Sequence, residues 1–456
     1  MPKGRKSKSK SKRDPFAGLP PLNLNAAGID IGSAEEFVSV PPDRDSKPVR
    51  KFECFTADLH RLADWLQTCN IDTVVMESTG SYWIPLYQIL EARGFKVCLV
   101  NARHAKNLPG RKTDMRDCQW LQRLHTFGLL NNSFRPANDI CILRSYLRQR
   151  DNLVRLASMC IQHMQKALTE MNLQLTNVIS DISGVTGLAI IRAILASERD
   201  PAKLAKLKDY RIVSTHERIV KSLEGNWREE LLFILRQSLE LYETYQSKIA
   251  ECDRSIQAHL KTFEDKVDIK TQPLPERKRS KKPRRNAPQF DLRSELYRIS
   301  SVDLTTIDGI DVVTSQTVIS EVGLDMSRWA TEKHFASWMG LSPENQISGG
   351  MVLKRGTRHV INRAANALRI AASTLRNSHS ALGANYRRLQ ARLGAPKAIT
   401  AMAHKLARLI YRMLKYGQQY VDKGMEYYDA KYKQHQLRWL TKQAKQFNLQ
   451  LVPAQP

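Results

Sequence analysis

No run of about 18 apolar residues free of charge occurs in this sequence, and no apolar stretch follows the basic start MPKGRKSKSKSKR. These two absences predict a chain that neither spans a membrane nor is secreted. The seven cysteines are scattered, without a CxxC pair or a Cys/His cluster at zinc spacing. We therefore expect reduced cysteines in a protein core, a cytoplasmic location and no structural zinc.

Acidic residues are scarce relative to basic ones. The 456 residues include 72 Lys and Arg against 45 Asp and Glu, a formal charge of +27. Residues 1–14 and 276–285 each hold seven cations and one acid, and we expect disordered segments there that bind an anion. A solubilising tail and a plain linker are the alternative. Lys and Arg elsewhere would bind phosphates whatever the base sequence, so the charge predicts a nucleic acid as partner.

Short apolar runs joined by turn residues dominate the chain up to about residue 135. They predict three strands, a helix, a strand, a helix and a strand, in that order. The segments are AAGIDIG (26–32), EFVSV (36–40), VRKFECF (49–55), ADLHRLADWLQTC (57–69), TVVMES (73–78), YWIPLYQILEARG (82–94) and KVCLVNA (96–102). This order fits a mixed α/β sheet whose first three strands form a meander and whose later strands are linked by crossovers.

Helical periodicity replaces the strand pattern beyond residue 135. Apolar residues step by four and three from Leu143 to Leu175, with one polar interruption at Arg150, and again from Leu235 to Ile256. Two long helices separated by a bent region are predicted. They could form an antiparallel coiled-coil arm that joins protomers, or an ordinary helical bundle packed on itself.

A compact α-rich part is predicted from about residue 300. Residues 304–323 are typical of a helix, a tight hairpin and a second helix, and helices are also expected at 329–340 and 360–377. Between the last two lies a polar segment, residues 341–359, for which we predict a loop. The remaining C-terminal residues are predicted to be helical.

Four acidic residues are candidates for catalysis. Asp30 interrupts the first apolar strand, Glu77 ends a later one, and Asp114 and Asp117 would share one face of a helix. Such a set can hold two Mg²⁺ ions about 4 Å apart, the arrangement used in phosphoryl displacement. Each acid alone could equally be a cap, a turn residue or half of a surface pair. Basic residues around them would attract a phosphate backbone: Arg103, Lys106, Arg111 and Lys112.

The loop 341–359 supplies a second candidate. Ser348 precedes two glycines, which let a ligand approach the backbone, and a serine beside guanidinium groups can attack a phosphodiester. A simple flexible turn is the alternative for SerGlyGly taken alone. The nearby cations are Lys354, Arg355, Arg358 and Arg363.

The layout of the four acids resembles the RuvC-like branch of the RNase H fold. Together with the later segments, it is similar to the DEDD insertion-sequence transposases, a family related to Piv/MooV-type DNA invertases. The hairpin LTTIDGID also resembles a helix-hairpin-helix element, although Asp311 stands where a second glycine is usual. The motifs that carry the resemblance are GIDIGS (28–33), VVMESTGSYW (74–83), GRKTDMRDC (110–118), TIDGID (306–311), WMGLSP (338–343), SGG (348–350) and KRGTRHVINRAA (354–365).

The resemblance implies an α/β RuvC-like N-terminal domain, a long helical coiled-coil-like middle and an α-rich C-terminal transposase domain. The expected divisions are a basic tail (1–24), the catalytic domain (25–135), a helical arm (136–265), a basic linker (266–298), the transposase domain (299–380) and C-terminal helices (381–456). The lysine-rich N-terminus and the basic insert at 276–285 depart from the family pattern.

The resemblance also assigns roles to single residues. It implies a metal-binding catalytic tetrad of Asp30, Glu77, Asp114 and Asp117, holding Mg²⁺, with two ions expected per site, and Ser348 as the nucleophile of a composite site. The intermediate would be a phosphoserine-linked DNA.

The expected partners follow from the same resemblance. They are DNA, as element ends and target, a structured guide RNA encoded beside the gene, and further protomers in a homodimer or homotetramer, in a cytoplasmic, nucleoid-associated enzyme.

Two other functions remain open from the sequence. One is a Mg²⁺-dependent junction-resolving nuclease that uses the tetrad and water, whose cleavage would survive loss of Ser348. The other is a nucleic-acid-binding scaffold without catalysis, which would bind with a steep salt dependence but yield no product.

Overall fold

The computed structural model describes residues 16, 18–101, 114–274, 286–354, 356–358, 360–421 and 424–452. Both basic segments, residues 1–14 and 276–285, lie outside these ranges. Contacts divide the chain into two units, Met1–Arg135 and Pro136–Pro456. No helix in the described ranges is long and apolar enough to cross a membrane.

The first unit contains a five-stranded mixed sheet. The strands are β1 (Ala26–Ile31), β2 (Glu35–Ser39), β3 (Val49–Glu53), β4 (Thr73–Glu77) and β5 (Lys96–Val100), in the spatial order β3-β2-β1-β4-β5. Neighbours β1, β2 and β3 are antiparallel, whereas β4 is parallel to both β1 and β5. The prediction of a meander followed by crossover strands is confirmed, because parallel neighbours need a long connection between them.

Helices cover both faces of this sheet. Helices α1 (Thr56–Thr68) and α2 (Trp83–Ala92) pack on one face, in a core that includes Ile29 and Met76. Helix α3 (Asp114–Thr126) packs on the other face, where its Leu121 joins a smaller core with Val75 of β4. Since successive strand residues point to opposite faces, Gly28 and Asp30 lie on the α3 face.

Two long helices dominate the start of the second unit. Helices α4 (Asn138–Glu170) and α8 (Glu229–Leu260) run antiparallel, since His259 Nε2 donates to the Asp139 carbonyl at one end and Asn226 N donates to the Met171 carbonyl at the other. The predicted bent region between them contains short helices α5 (Val185–Leu195), α6 (Pro201–Ala205) and α7 (His216–Ser222). These short helices share one apolar core with α4 and α8.

Helices also form most of the remaining second unit. Its elements are α9 (Leu292–Ser300), α10 (Val312–Val322), α11 (Glu332–Trp338), strands β6 (Gln346–Ser348) and β7 (Met351–Lys354), then α12 (Arg363–Thr374), α13 (Ala381–Leu393), α14 (Ala395–Tyr416) and α15 (Gly424–Gln446). The loop predicted for residues 341–359 is wrong in part, because an antiparallel two-stranded hairpin forms inside it. Of the helix, hairpin and helix predicted within residues 304–323, the first helix is only a 3-10 turn, Leu304–Thr306, and the second is α10.

Candidate functional site

Asp30 and Glu77 occupy neighbouring parallel strands. The register pairs Ile29 of β1 with Met76 of β4, and the next residue on each strand is the acid. Asp30 is half-buried and Glu77 is 6% exposed. Because residues in register on parallel strands face the same side, both carboxylates belong to the face that α3 covers.

Gly28 brings α3 directly against β1. A Cβ added at Gly28 would lie 2.3 Å from the carbonyl oxygen of Cys118 and 2.4 Å from the amide nitrogen of Gln122, both on α3. Only a residue without a side chain permits this approach. The contact fixes the part of α3 that carries Asp117, the residue before Cys118, against the strand that carries Asp30.

The thiol of Cys118 reports on the electrostatics at this contact. Burial first, and then the charges of Asp30 and Asp117, raise the pKa of Cys118 to about 12. A thiol whose pKa is raised by both carboxylates lies near both of them. The structure therefore brings Asp30 and Asp117 towards one buried point between β1 and α3.

Asp114 is the first residue of α3, one turn before Asp117, but its side chain lies outside the described part of the structure. The predicted phosphate-binding residues Arg103, Lys106, Arg111 and Lys112 also lie outside the described residues. Among the side chains that are described, no group of three or more His, Cys, Asp or Glu is close enough to hold a metal ion. The metal-binding role of the tetrad stays a prediction.

Glu36 is a buried acid beside this region that the sequence analysis missed. It is 1% exposed, and it pairs in register with Ile31, whose side chain belongs to the core under α1 and α2. The Cys54 thiol donates to Glu36 Oε1 at 3.6 Å, and Oε2 has no hydrogen-bond partner among the described atoms. Burial, with a smaller contribution from the charge of Asp30, raises the pKa of Glu36 to about 8. The signal in the sequence was its alternation with Val38, which places Glu36 on the apolar side of β2.

Ser348 ends β6 at a tight two-residue turn. Ser348 pairs with Met351 of β7, and the turn residues Gly349 and Gly350 have φ values of 55° and 77°. Positive φ at both central residues is the geometry of hairpin turns that match strand twist, and glycine adopts it without strain. Ser348 is exposed, so its hydroxyl is presented next to a fixed turn.

The cations predicted beside Ser348 have different surroundings. Arg358 is exposed and donates to the Ser337 carbonyl at 2.9 Å, whereas Arg363 forms an ion pair with Asp151 of α4 at 3.4 Å. Lys354 is the last residue of β7 but its side chain is not described, and Arg355 lies outside the described residues. The ion pair with Asp151 thus places the Arg363 side chain against α4.

Asp311 has a structural role in the hairpin that precedes α10. Its carboxylate accepts a hydrogen bond from the amide of Thr314 at 2.8 Å and caps the helix. Gly309 has a φ of 86°, and an added Cβ there would lie 2.8 Å from the carbonyl oxygen of Ala371 in α12. The hairpin is therefore packed against α12 at its glycine, and the aspartate begins the following helix.

Comparison with known proteins gives consistent matches to both parts of the chain. Residues 27–173 match a family model described as a transposase of the DEDD, IS110 type, and residues 302–387 match one described as "Transposase IS116/IS110/IS902 family". Together the two matches cover about half of the chain. A "Probable family 20 transposase" of Pseudomonas aeruginosa is 21% identical over 401 residues, which cover 86% of this chain and 97% of that protein.

Proposed function

This chain belongs to the DEDD transposase family of IS110-type elements and is a DNA transposase or recombinase, and we propose that it cuts and rejoins DNA by serine attack on a phosphodiester. Ser348 is the proposed nucleophile. The carboxylates of Asp30, Glu77, Asp114 and Asp117 are the proposed metal ligands. The observation that carries the proposal is the placement of Asp30 and Glu77 in register on neighbouring strands, with Asp117 on the helix packed at Gly28.

The proposed fold of the first unit is RuvC-like, within the RNase H class. Support comes from the strand order β3-β2-β1-β4-β5 with an antiparallel meander and two parallel strands. Support also comes from the position of the acids at the carboxyl ends of β1 and β4, the edge where ligands bind in sheets of this kind. The α3 helix then contributes its acids across the same face.

The donor set fits a hard divalent cation. All four proposed ligands are carboxylates, and no thiolate or imidazole stands among them, which favours Mg²⁺, with two ions per site proposed. When bound, such ions stabilise negative charge on the oxygens around phosphorus. The protein's own contribution is to hold Asp30, Glu77 and Asp117 on one face of the sheet.

The chemistry proposed for Ser348 conserves the phosphodiester bond energy. The serine oxygen forms a bond to phosphorus as the bond to one DNA oxygen breaks, and the proton lost by the serine hydroxyl is balanced by the proton gained by the leaving DNA oxygen. A hydroxyl on a second DNA strand then attacks the phosphoserine and releases the serine. Each cut is thus followed by a joining step without an external energy source.

A structured guide RNA and assembly into a dimer or tetramer complete the proposal. The formal charge of +27 supports RNA as a second polyanionic partner. Exposed apolar side chains along α4 and α8 support contact with another protomer. They are Ile142, Tyr146, Met159, Phe233, Ile234 and Leu241.

Replacement of Ser348 tests the chemistry directly. We expect Ser348→Ala to abolish both the covalent protein–DNA adduct and recombinants between donor and target plasmids, because the attacking oxygen is gone. Asp30→Asn should also abolish recombinants, while Ser342→Ala, a nearby serine in the same part of the chain, should retain them. An adduct formed by Ser348→Ala would refute the nucleophile, and Mg²⁺-dependent cleavage without an adduct would favour the junction-resolving nuclease.

A further inference from the structure

Within the described residues, the ion pair, ring contact and hydrogen bond that anchor helix α15 to the rest of the second unit lie in its first turns. Arg388 of α13 forms an ion pair with Asp429 at 2.8 Å and lies 3.7 Å from the centre of the Tyr432 ring, and the Tyr428 hydroxyl donates to Asn385 at 2.8 Å. From residue 433 to residue 442 every residue is exposed. The second half of α15 therefore extends from the anchor with most of its surface available.

Helix α15 carries a cationic stripe that begins at the anchor and continues along the extended half, defined by Lys431, His435, Arg438, Lys442 and Lys445. The spacing of four, three, four and three residues places these side chains on one face of the helix. At about 1.5 Å per residue, the stripe is roughly 21 Å long. No Asp or Glu occurs between residues 430 and 452, and no described carboxylate forms an ion pair with the four Lys and Arg residues of the stripe.

The stripe continues into the folded part of the unit through Lys405 of α14. Burial lowers the pKa of Lys405, and the positive charges of Arg408 and Lys431 lower it further, so these three cations lie close together. Arg408 is paired with Glu332, but no described carboxylate pairs with Lys405 or Lys431. Two cations that are held together without acidic partners are stabilised when an anion binds.

We propose that the cationic stripe of α15 lies along the phosphate backbone of duplex DNA. This inference rests on the proposed function, which makes DNA the substrate, and it adds a DNA-binding surface beyond residue 387, where the second family match ends. A row of cations along one face suits contact with a backbone rather than insertion into a groove. The contact would position DNA without reading its sequence.

Two other occupants fit the helix less well. An anionic membrane would require a continuous apolar face opposite the charges, but Lys433 lies on the same side as Leu437 and Leu440. A second copy of this chain would bring two stripes of like charge together. Charge complementarity therefore favours a nucleic-acid backbone, and DNA is the nucleic acid on which a transposase acts.

A salt titration of DNA binding tests the proposal on the full chain. The variant Lys431→Gln/Arg438→Gln/Lys442→Gln/Lys445→Gln and the wild type are compared by fluorescence anisotropy with a labelled 30-base-pair duplex of arbitrary sequence. The slope of log K against log salt should become less steep by about 3 to 4, because each lost phosphate contact removes about 0.9. The matched control neutralises four exposed lysines elsewhere in the same unit: Lys206, Lys221, Lys261 and Lys270.

The outcomes distinguish DNA binding by the stripe from binding of a membrane or of a second copy of this chain. An unchanged slope in the stripe variant, or an equal loss in the control variant, overturns the proposal. The proposal is also overturned if the stripe variant keeps the wild-type slope for DNA but loses binding to phosphatidylserine vesicles or self-association measured by sedimentation. The titration measures the salt dependence of binding and not recombination, so failure of the serine chemistry and failure of the stripe are observed independently.

Discussion

Glu36 is the residue whose protonation in the folded chain differs most clearly from that of a free carboxyl group. Its pKa of about 8 results first from burial, and the Cys54 thiol and the Gly32 backbone only partly offset that effect. At neutral pH the folded protein therefore holds Glu36 as a neutral acid. In the unfolded chain the same group titrates near 4.5.

The pKa difference at Glu36 predicts how stability depends on pH. Between pH 4.5 and 8 the folded state keeps a proton that the unfolded state has released, so stability should fall as pH rises through this window. Glu36→Gln has no proton to release. We expect its thermal unfolding midpoint to rise relative to the wild type as pH increases from 5 to 8.

A neighbouring acid gives the control for this measurement. Glu35 precedes Glu36 in β2, is partly exposed and pairs with Lys51 at 2.7 Å. Glu35→Gln should show no comparable change with pH. A Glu36→Gln difference that stays constant from pH 5 to 8 would contradict the raised pKa.

Single residues differ in how far the sequence reveals their role. Asp30 could be singled out because an acid between two isoleucines is out of place in an apolar strand. Glu36 was missed although it alternates with Val38, because the neighbouring Glu35 is a partly exposed acid on the same strand and the burial of Glu36 depends on contacts with residues such as Cys54. In the sequence, Asp311 stands where a second hairpin glycine is usual. In the structure, its side chain caps α10.

At the level of elements, the contact between α4 and α8 contains a buried ion pair. Arg150, the polar interruption in the heptad pattern, has its Nε 2.5 Å from Oδ1 of Asp253, and both side chains are nearly inaccessible. The Arg150 guanidinium also donates to the Asn286 carbonyl at 3.0 Å, and the amide of Gln289 donates to Asp253. The pair thus fixes the two helices and the segment before α9.

Removing one partner of this pair should destabilise the second unit strongly. We expect Arg150→Met to lower the free energy of unfolding by about 3 to 5 kcal/mol, because Asp253 remains as a buried charge. The double variant Arg150→Met/Asp253→Leu should recover most of the loss. Denaturant titration followed by tryptophan fluorescence measures both.

A surface pair between other helices serves as the comparison. Arg192 of α5 lies 2.6 Å from Glu243 of α8, and both side chains are about half exposed. Arg192→Met should cost no more than about 1 kcal/mol. Equal losses for Arg150→Met and Arg192→Met would show that burial of the first pair contributes nothing.

Elements with strong periodicity could be predicted from the sequence, and short ones could not. All five strands of the sheet were predicted within a few residues, because β1, β4 and β5 are largely apolar runs and turn residues separate β2 and β3 from their neighbours. The hairpin of β6 and β7 was missed, since its strands have only three and four residues and its apolar side chains are exposed. The two glycines after Ser348 were the available signal for a hairpin turn.

At the scale of the whole molecule, each of the two units contains apolar cores formed by its own residues. The cores on both faces of the sheet are formed entirely by residues before 135, and the core of α4 and α8 entirely by residues after it. The unit boundary at Arg135 coincides with the change from strand to helix periodicity in the sequence. The sequence could predict this division because the spacing of apolar residues is that of strands in much of the first unit and that of helices in the second.

Self-contained cores predict that residues 1–135 fold without the rest of the chain. The isolated fragment should show a cooperative thermal transition by circular dichroism. Gly28→Val in the fragment is the matched perturbation: it should lower the midpoint, because the added Cβ collides with the backbone of α3. Gradual melting without a transition would contradict independent folding.

The hairpin that carries Ser348 also affects how the protein behaves in solution. Within the described chain β6 and β7 pair only with each other, and Ile347, Met351 and Leu353 are all more than 60% exposed. Open strand edges with apolar side chains are sites of edge-to-edge aggregation. The net charge of +27 opposes such contact by repulsion between copies, and added salt weakens that repulsion. The colloidal stability of this enzyme therefore depends on its unneutralised charge. A bound polyanion neutralises part of that charge and so weakens the repulsion that opposes self-association.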